Sequence, residues 1–122
     1  MSGHDPEAGG RLVYRGRAGV ELTLAETRAA AGLAALNALA SAEAALGSLA
    51  RARRCLLLIC FVDGAGPALD PAIAHDAVAL VRRAFGSRGD PLVLLRQAQG
   101  LAGGMPVEVE LLLEVVPGRA RA

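Results

Sequence analysis

The chain has 122 residues, a formal net charge of +1 and 53% hydrophobic residues, the size of one globular domain. With 20% charged residues and a mean hydropathy of +0.40 it holds too much buriable surface to stay disordered. Its longest unbroken apolar runs, such as Cys55 to Val62, are shorter than the ~18 to 20 residues of a membrane span, so no membrane contact is expected. Only 2% of the residues are aromatic and none is Trp, which leaves few platforms for base stacking, and the near-neutral charge gives little attraction to phosphates. Nucleic acid is therefore not an expected partner. All 13 basic residues are Arg, spread along the chain in a way that reads as compositional bias. No basic stretch followed by an apolar core opens the chain, and a cytoplasmic location is expected.

Residues 1–10 (MSGHDPEAGG) are polar and Gly-rich and read as a flexible tail. Arg11 to Leu22 has the mixed alternation of a short strand that bends. Thr23-Leu24-Ala25-Glu26 has capping-box spacing and starts a helix, with Leu33, Leu36, Ala40 and Leu46 near one face and Gly47 as the left-handed stop. Arg54 to Val62 is a short apolar run closed by Asp63-Gly64 and predicts a buried strand. Arg51, Arg53 and Arg54 before it read as a solvated loop.

A second helix is predicted from Asp70 as N-cap and Pro71 at the first turn, with Ile73, Ala77, Leu80 and Ala84 on one stripe, Arg82 and Arg83 in the last turn and Gly86 as stop. Leu92 to Gln99 and Val107 to Val116 read as two strands around Gly103-Gly104. The single domain is expected over 11–117, with 118–122 as a C-terminal tail.

This order of elements predicts a two-layer α/β (α+β) sandwich, a mixed sheet with two helices on one face. In the central strand Cys55, Leu57, Ile59 and Phe61 point one way and Leu56, Leu58, Cys60 and Val62 the other, so both faces are apolar. Another copy of the chain is the simplest cover for the second face, which predicts a homo-oligomer. Cys55 and Cys60, an odd five residues apart on one strand, fall on opposite faces and read as core hydrophobes. His4 and His75 are the only imidazoles, no ligand spacing is present, and neither a metal nor any other cofactor is expected.

Glu108, Glu110 and Glu114 share one face of the last strand. Glu110 and Glu114 read as a solvated face, whereas Glu108, nearest the turn and on the side where an oligomer cleft would form, is the candidate acid or base. His75 and Asp76 open the second helix, where a surface role for the His outweighs a proton shuttle. No catalytic triad, nucleophile elbow, phosphate loop or dinucleotide fingerprint is present.

ALNALASAEAALGSLARARR (Ala35 to Arg54), the strand ending FVDGA, DPAIAHDAVALVRRAFG and LAGGMPVEVELLLEV together resemble the RidA family, also called YjgF or endoribonuclease L-PSP-like. The likeness runs from about Gly16 to Val116, and VEVE (Val107 to Glu110) is similar to the family's terminal VEIE. It implies a chorismate-mutase-like fold, a homotrimer and a small-molecule cleft between subunits. The family's best-known activity is hydrolysis of enamines and imines to keto acids and ammonia, with an Arg binding the substrate carboxylate and a Glu, resembled here by Glu108, acting on the attacking water.

Counting back from VEVE, the family's Arg position falls on Val93. Arg96 lies three residues on, which reverses the strand face, so it would reach the same cleft only through a bulge or a shortened loop. Val78 and Leu95 would line that cleft and are apolar. The N-terminal segment before the first helix is shorter than in RidA proteins. The resulting expectation is a divergent RidA-like protein acting on a small metabolite without the usual carboxylate, in a specialised biosynthetic pathway. The alternatives are a non-catalytic ligand-binding or structural trimer, and an enamine/imine deaminase using Arg96.

Overall fold

A computed structural model describes residues 3–64, 69–86 and 90–117. The order of elements is β1 (Glu7–Ala8), β2 (Arg11–Leu12), α1 (Leu24–Leu46), β3 (Ala52–Val62), α2 (His75–Phe85), β4 (Leu92–Gln97) and β5 (Val107–Val115). A three-stranded mixed sheet runs β4-β3-β5, with β4 parallel and β5 antiparallel to β3, and β1 and β2 form a separate short hairpin. Both helices lie on one face of the sheet, α1 over β5 and α2 over β3, and pack on each other. The fold class is α+β, as expected.

Helix α1 begins where its capping box closes: Thr23 Oγ1 accepts from the Glu26 amide at 3.1 Å, and Glu26 Oε1 accepts from the Thr23 amide at 3.0 Å. It ends on Gly47, whose φ of +82 is the left-handed conformation that glycine adopts without strain. The buried face is not the leucine stripe expected from sequence. Leu36 is 50% exposed, while Ala30, Ala31, Ala34, Ala35 and Ala38 are wholly buried. Small side chains let the backbone of α1 come close to β5 and α2, so alanines together with Leu39 make the contact, and Leu36 falls outside it. Gly32 marks the tightest point, where an added Cβ would lie 3.1 Å from the Asp76 Cβ of α2. Beside it, Arg28 Nη2 binds Asp76 Oδ1 at 2.9 Å.

With 23 residues and a mean hydropathy of 1.4, α1 is also long and apolar enough to cross a membrane. Its apolar residues are interrupted by Gly, Asn, Ser and Glu, so no single unbroken apolar run shows this. Within the fold 44% of its most apolar stretch is buried.

Asp70 caps a 3-10 turn, Pro71–Ala74, by accepting from the Ala72 amide at 2.9 Å, and α2 follows without a break. Its buried stripe is Ala77, Val81 and Phe85. Ile73 and Ala77 of the expected stripe are buried, whereas Leu80 is only half-buried and Ala84 is exposed, their places taken by Val81 and Phe85.

In β3 the expected alternation holds from Leu57 on, with Leu58, Cys60 and Val62 buried beneath the helices. Before that the ladder with β5 slips at Arg53 and at Leu56. Each slip inserts an unpaired residue and reverses the phase. Cys55 is therefore buried in the same core as Cys60, not on the opposite face, and Leu56 is turned outward at 39% exposure. Both cysteines are free. Burial raises the Cys55 thiol and pushes Cys60 up to about 12, so neither offers a thiolate near neutrality. Arg53 and Arg54 belong to β3 and not to a loop, and Arg54 makes a two-pronged pair with Glu114, both contacts at 3.3 Å.

From Gly3 onward the expected tail is hydrogen-bonded into the fold. His4 exchanges two backbone bonds with Val109 at 3.0 and 2.9 Å, and Asn37 Nδ2 donates to the carbonyls of Asp5 and Glu7 at 2.8 Å each. The polar, Gly-rich composition carries no sign of this, because the partners, the backbone of Val109 and the side chain of Asn37, are distant in sequence. The C-terminal tail, 118–122, lies outside the described residues.

Candidate functional site

Strand register decides which of the candidate residues meet. β4 pairs with β3 without a slip, Leu58 opposite Val93, Cys60 opposite Leu95 and Phe61 opposite Arg96. Directly paired residues share a face. Val93 and Leu95 therefore lie on the helix side of the sheet with Leu58 and Cys60, and Arg96 lies on the open side with Phe61. β5 places Glu108 opposite Phe61 and Glu110 opposite Ile59. The five candidates divide into two groups, Val78, Val93 and Leu95 on one side and Arg96 with Glu108 on the other.

The first group lines a cavity of about 640 Å³ between α2 and β4, together with Pro71, His75 and Arg82. β4 is an edge strand of the sheet, so the cavity opens along it. Among the described residues its walls carry no carboxylate. The Arg82 guanidinium is engaged with Asp90 at 2.8 Å, and His75 is exposed beside the cavity. Such an apolar cleft with one or two polar groups suits a small molecule without a carboxylate of its own.

The second group forms a row across three strands, Arg96, Phe61 and Glu108, at the end of an apolar open face that also carries Leu57, Ile59, Leu92, Leu94 and Leu112. Leu92 is 65% and Leu112 54% exposed. Glu108 is half-buried, and its carboxyl is raised above the ordinary glutamate range, first by desolvation and then by the charges of Asp5 and Glu110. A carboxyl raised in this way holds its proton to higher pH than an ordinary glutamate, which suits it to proton transfer.

Asp5 and Phe61 belong to this surroundings and escaped the reading of the sequence. Asp5 sits in a stretch that looks like a tail, and Phe61 reads as one more apolar residue in a buried strand. Among the described residues no group of three or more His, Cys, Asp or Glu is arranged to hold a metal ion.

No protein-family model and no curated protein matches the chain. Among solved structures, the chain is similar to a protein of unknown function from Agrobacterium tumefaciens, at 27% identity and a TM-score of 0.89, over 94% of this chain and 74% of that one. It is equally similar in fold to a protein from Shewanella oneidensis MR-1 provisionally described as an endoribonuclease, at 28% identity and a TM-score of 0.89, over 94% of this chain and 77% of that one. The chain thus has the RidA-like, endoribonuclease-type α+β fold that the resemblance of its sequence implied.

Proposed function

We propose that this chain is a divergent RidA-like protein that assembles as a homo-oligomer, a trimer as the family resemblance implies, and acts on a small metabolite lacking a carboxylate. The apolar cleft between α2 and the free edge of β4 carries this reading. On the family resemblance Val93 takes the place of the carboxylate-binding Arg; in the structure Val78 and Leu95 add apolar surface, and the cation in the cleft wall, Arg82, is engaged with Asp90. Glu108 supplies the acid or base.

Glu108 and Val93 project from opposite faces of the sheet, so a site that uses both takes them from two chains. A second copy covering the open face would also bury Leu92 and Leu112, which a monomer leaves in water.

A specific observation favours a second reading. Arg96 is exposed, shares a row with Glu108, and has no ion-pair partner among the described residues. An enamine/imine deaminase that binds the substrate carboxylate through Arg96 would use that row. RNA cleavage, suggested by the description of the Shewanella protein, sits poorly with 2% aromatic residues and a net charge of +1.

The test is ammonia release from imines made in situ. An amine oxidase supplies imines without a carboxylate, and an amino-acid oxidase supplies 2-imino acids. Acceleration of the first set, lost in Glu108→Gln, is the expected result. Acceleration confined to the second set and lost in Arg96→Ala would select the deaminase reading, and acceleration of neither would overturn a hydrolytic role.

A further inference from the structure

A second carboxylate faces Glu108 from a separate element. His4 and Val109 are joined by amide-to-carbonyl bonds in both directions, 3.0 and 2.9 Å. In an antiparallel ladder the residues next to such a pair sit opposite one another with their side chains at closest approach, which sets Asp5 opposite Glu108. The His4 ring lies against α1, its Nε2 2.9 Å from Ser41 Oγ. Alternation therefore turns Asp5 to the other face, the face of Glu108.

Asp5 is held there. Asn37 Nδ2 donates to its carbonyl at 2.8 Å, and Pro6 beside it is fully buried. Gly3 approaches from the same strap: an added Cβ there would lie 3.6 Å from Glu108 Oε1, and the φ of +67 suits glycine. The groups facing Glu108 are Asp5 on the strap, Glu110 on its own strand, uncharged Phe61 on β3 and, beyond it in the row, Arg96 on β4. Among the described residues no cation pairs with either Asp5 or Glu108.

We propose that Asp5 is a positioning residue that keeps a proton on Glu108 by facing it across the strand pair. Two carboxylates directly opposite one another resist both being ionised, so one of the two retains its proton to higher pH. Glu108 is the one that also loses solvent, and it enters the reaction as a proton donor. The substrate is then one that must be protonated first, at an imine nitrogen or an enamine carbon. This inference rests on the reading of Glu108 as the acid or base.

Carbon-detected NMR titration of the side-chain carboxyls in the full-length protein tests it without any substrate. In the wild type the Glu108 midpoint is expected above the ordinary glutamate range, and it should move down in Asp5→Asn and in Asp5→Ser. Asp5→Glu keeps the charge and should keep the midpoint high. A midpoint unmoved in Asp5→Asn and Asp5→Ser would overturn the proposal. So would a midpoint that falls as far in Asp5→Glu as in Asp5→Asn, since that outcome reflects packing and not charge. The reading is taken on the resting protein, so its failure is separate from a failure of the ammonia-release assay.

Discussion

Arg96 and Glu108 stand in one row across the open face of the sheet, on either side of Phe61. They share that face because β4 and β5 both pair with β3 at Phe61. Val93, three residues before Arg96, is turned to the helix side. The only cation of the row and the candidate acid thus share the open face, while Val93 lies on the opposite one.

Removing the Glu108 carboxyl should cost activity and add stability. A carboxyl whose folded value is raised contributes stability that is present below its unfolded value and lost as pH rises through the folded value. Glu108→Gln should therefore be more stable than the wild type at neutral pH, and the difference should vanish on acidification below the ordinary glutamate range. Denaturant titrations at several pH values check this. Turnover in the same variant should fall by about 100-fold or more, the usual contribution of a positioned acid or base.

Glu26 should show the opposite sign. Its carboxylate accepts from Thr23, which lowers it below the ordinary range, so its contribution is present above the unfolded value and lost as pH falls through the folded one. Thr23→Ala removes the N-cap and should destabilise the fold by about 1 kcal/mol, measured by urea unfolding.

The alanine face of α1 should resist enlargement. Ala34 and Ala38 have no exposed surface, and Ala34→Leu or Ala38→Leu should cost about 1 to 3 kcal/mol through overpacking. Leu36→Gln, on the exposed side, should stay within about 0.5 kcal/mol. Thermal unfolding of the three variants separates the observed face from the leucine stripe that the sequence suggests.

The open face should mediate self-association. Leu112 and Leu92 flank Leu57 in a row with no cover among the described residues. Leu112→Glu should reduce the mass seen by sedimentation equilibrium, with an unchanged far-ultraviolet circular dichroism spectrum. An unchanged mass would place the interface elsewhere.

Several features were legible in the residues themselves. The Thr23 to Glu26 spacing, the Gly47 stop, the apolar run of β3 and the Val/Glu alternation of β5 are local signals, and each matches the structure. Features that depend on distant contacts were not legible. The bulge at Leu56 sits inside a run of leucines that offers no mark of a slip, so the two cysteines were assigned to opposite faces. The largest residues of α1 suggest one phase, whereas close approach buries mainly its alanines, with Leu39. The three-residue step from Val93 to Arg96 showed that they face opposite ways. Which of them shares a face with Glu108 depends on the register of three strands, and no pattern within one strand encodes that. Asp5 was hidden because Asn37 and Ser41, more than thirty residues later, hold its segment down.

Mixing two inactive variants tests the composite cleft most directly. Val93→Asp places a charge in the apolar cleft, and Glu108→Gln removes the acid, so each alone should lose turnover on imines without a carboxylate. Refolded together, the two should recover turnover, because a mixed oligomer contains clefts that pair an intact Val93 with an intact Glu108 from another chain. No recovery from a mixture that native mass spectrometry shows to be mixed oligomers would contradict a site shared between copies, and a mass of one chain for the wild type would contradict it outright.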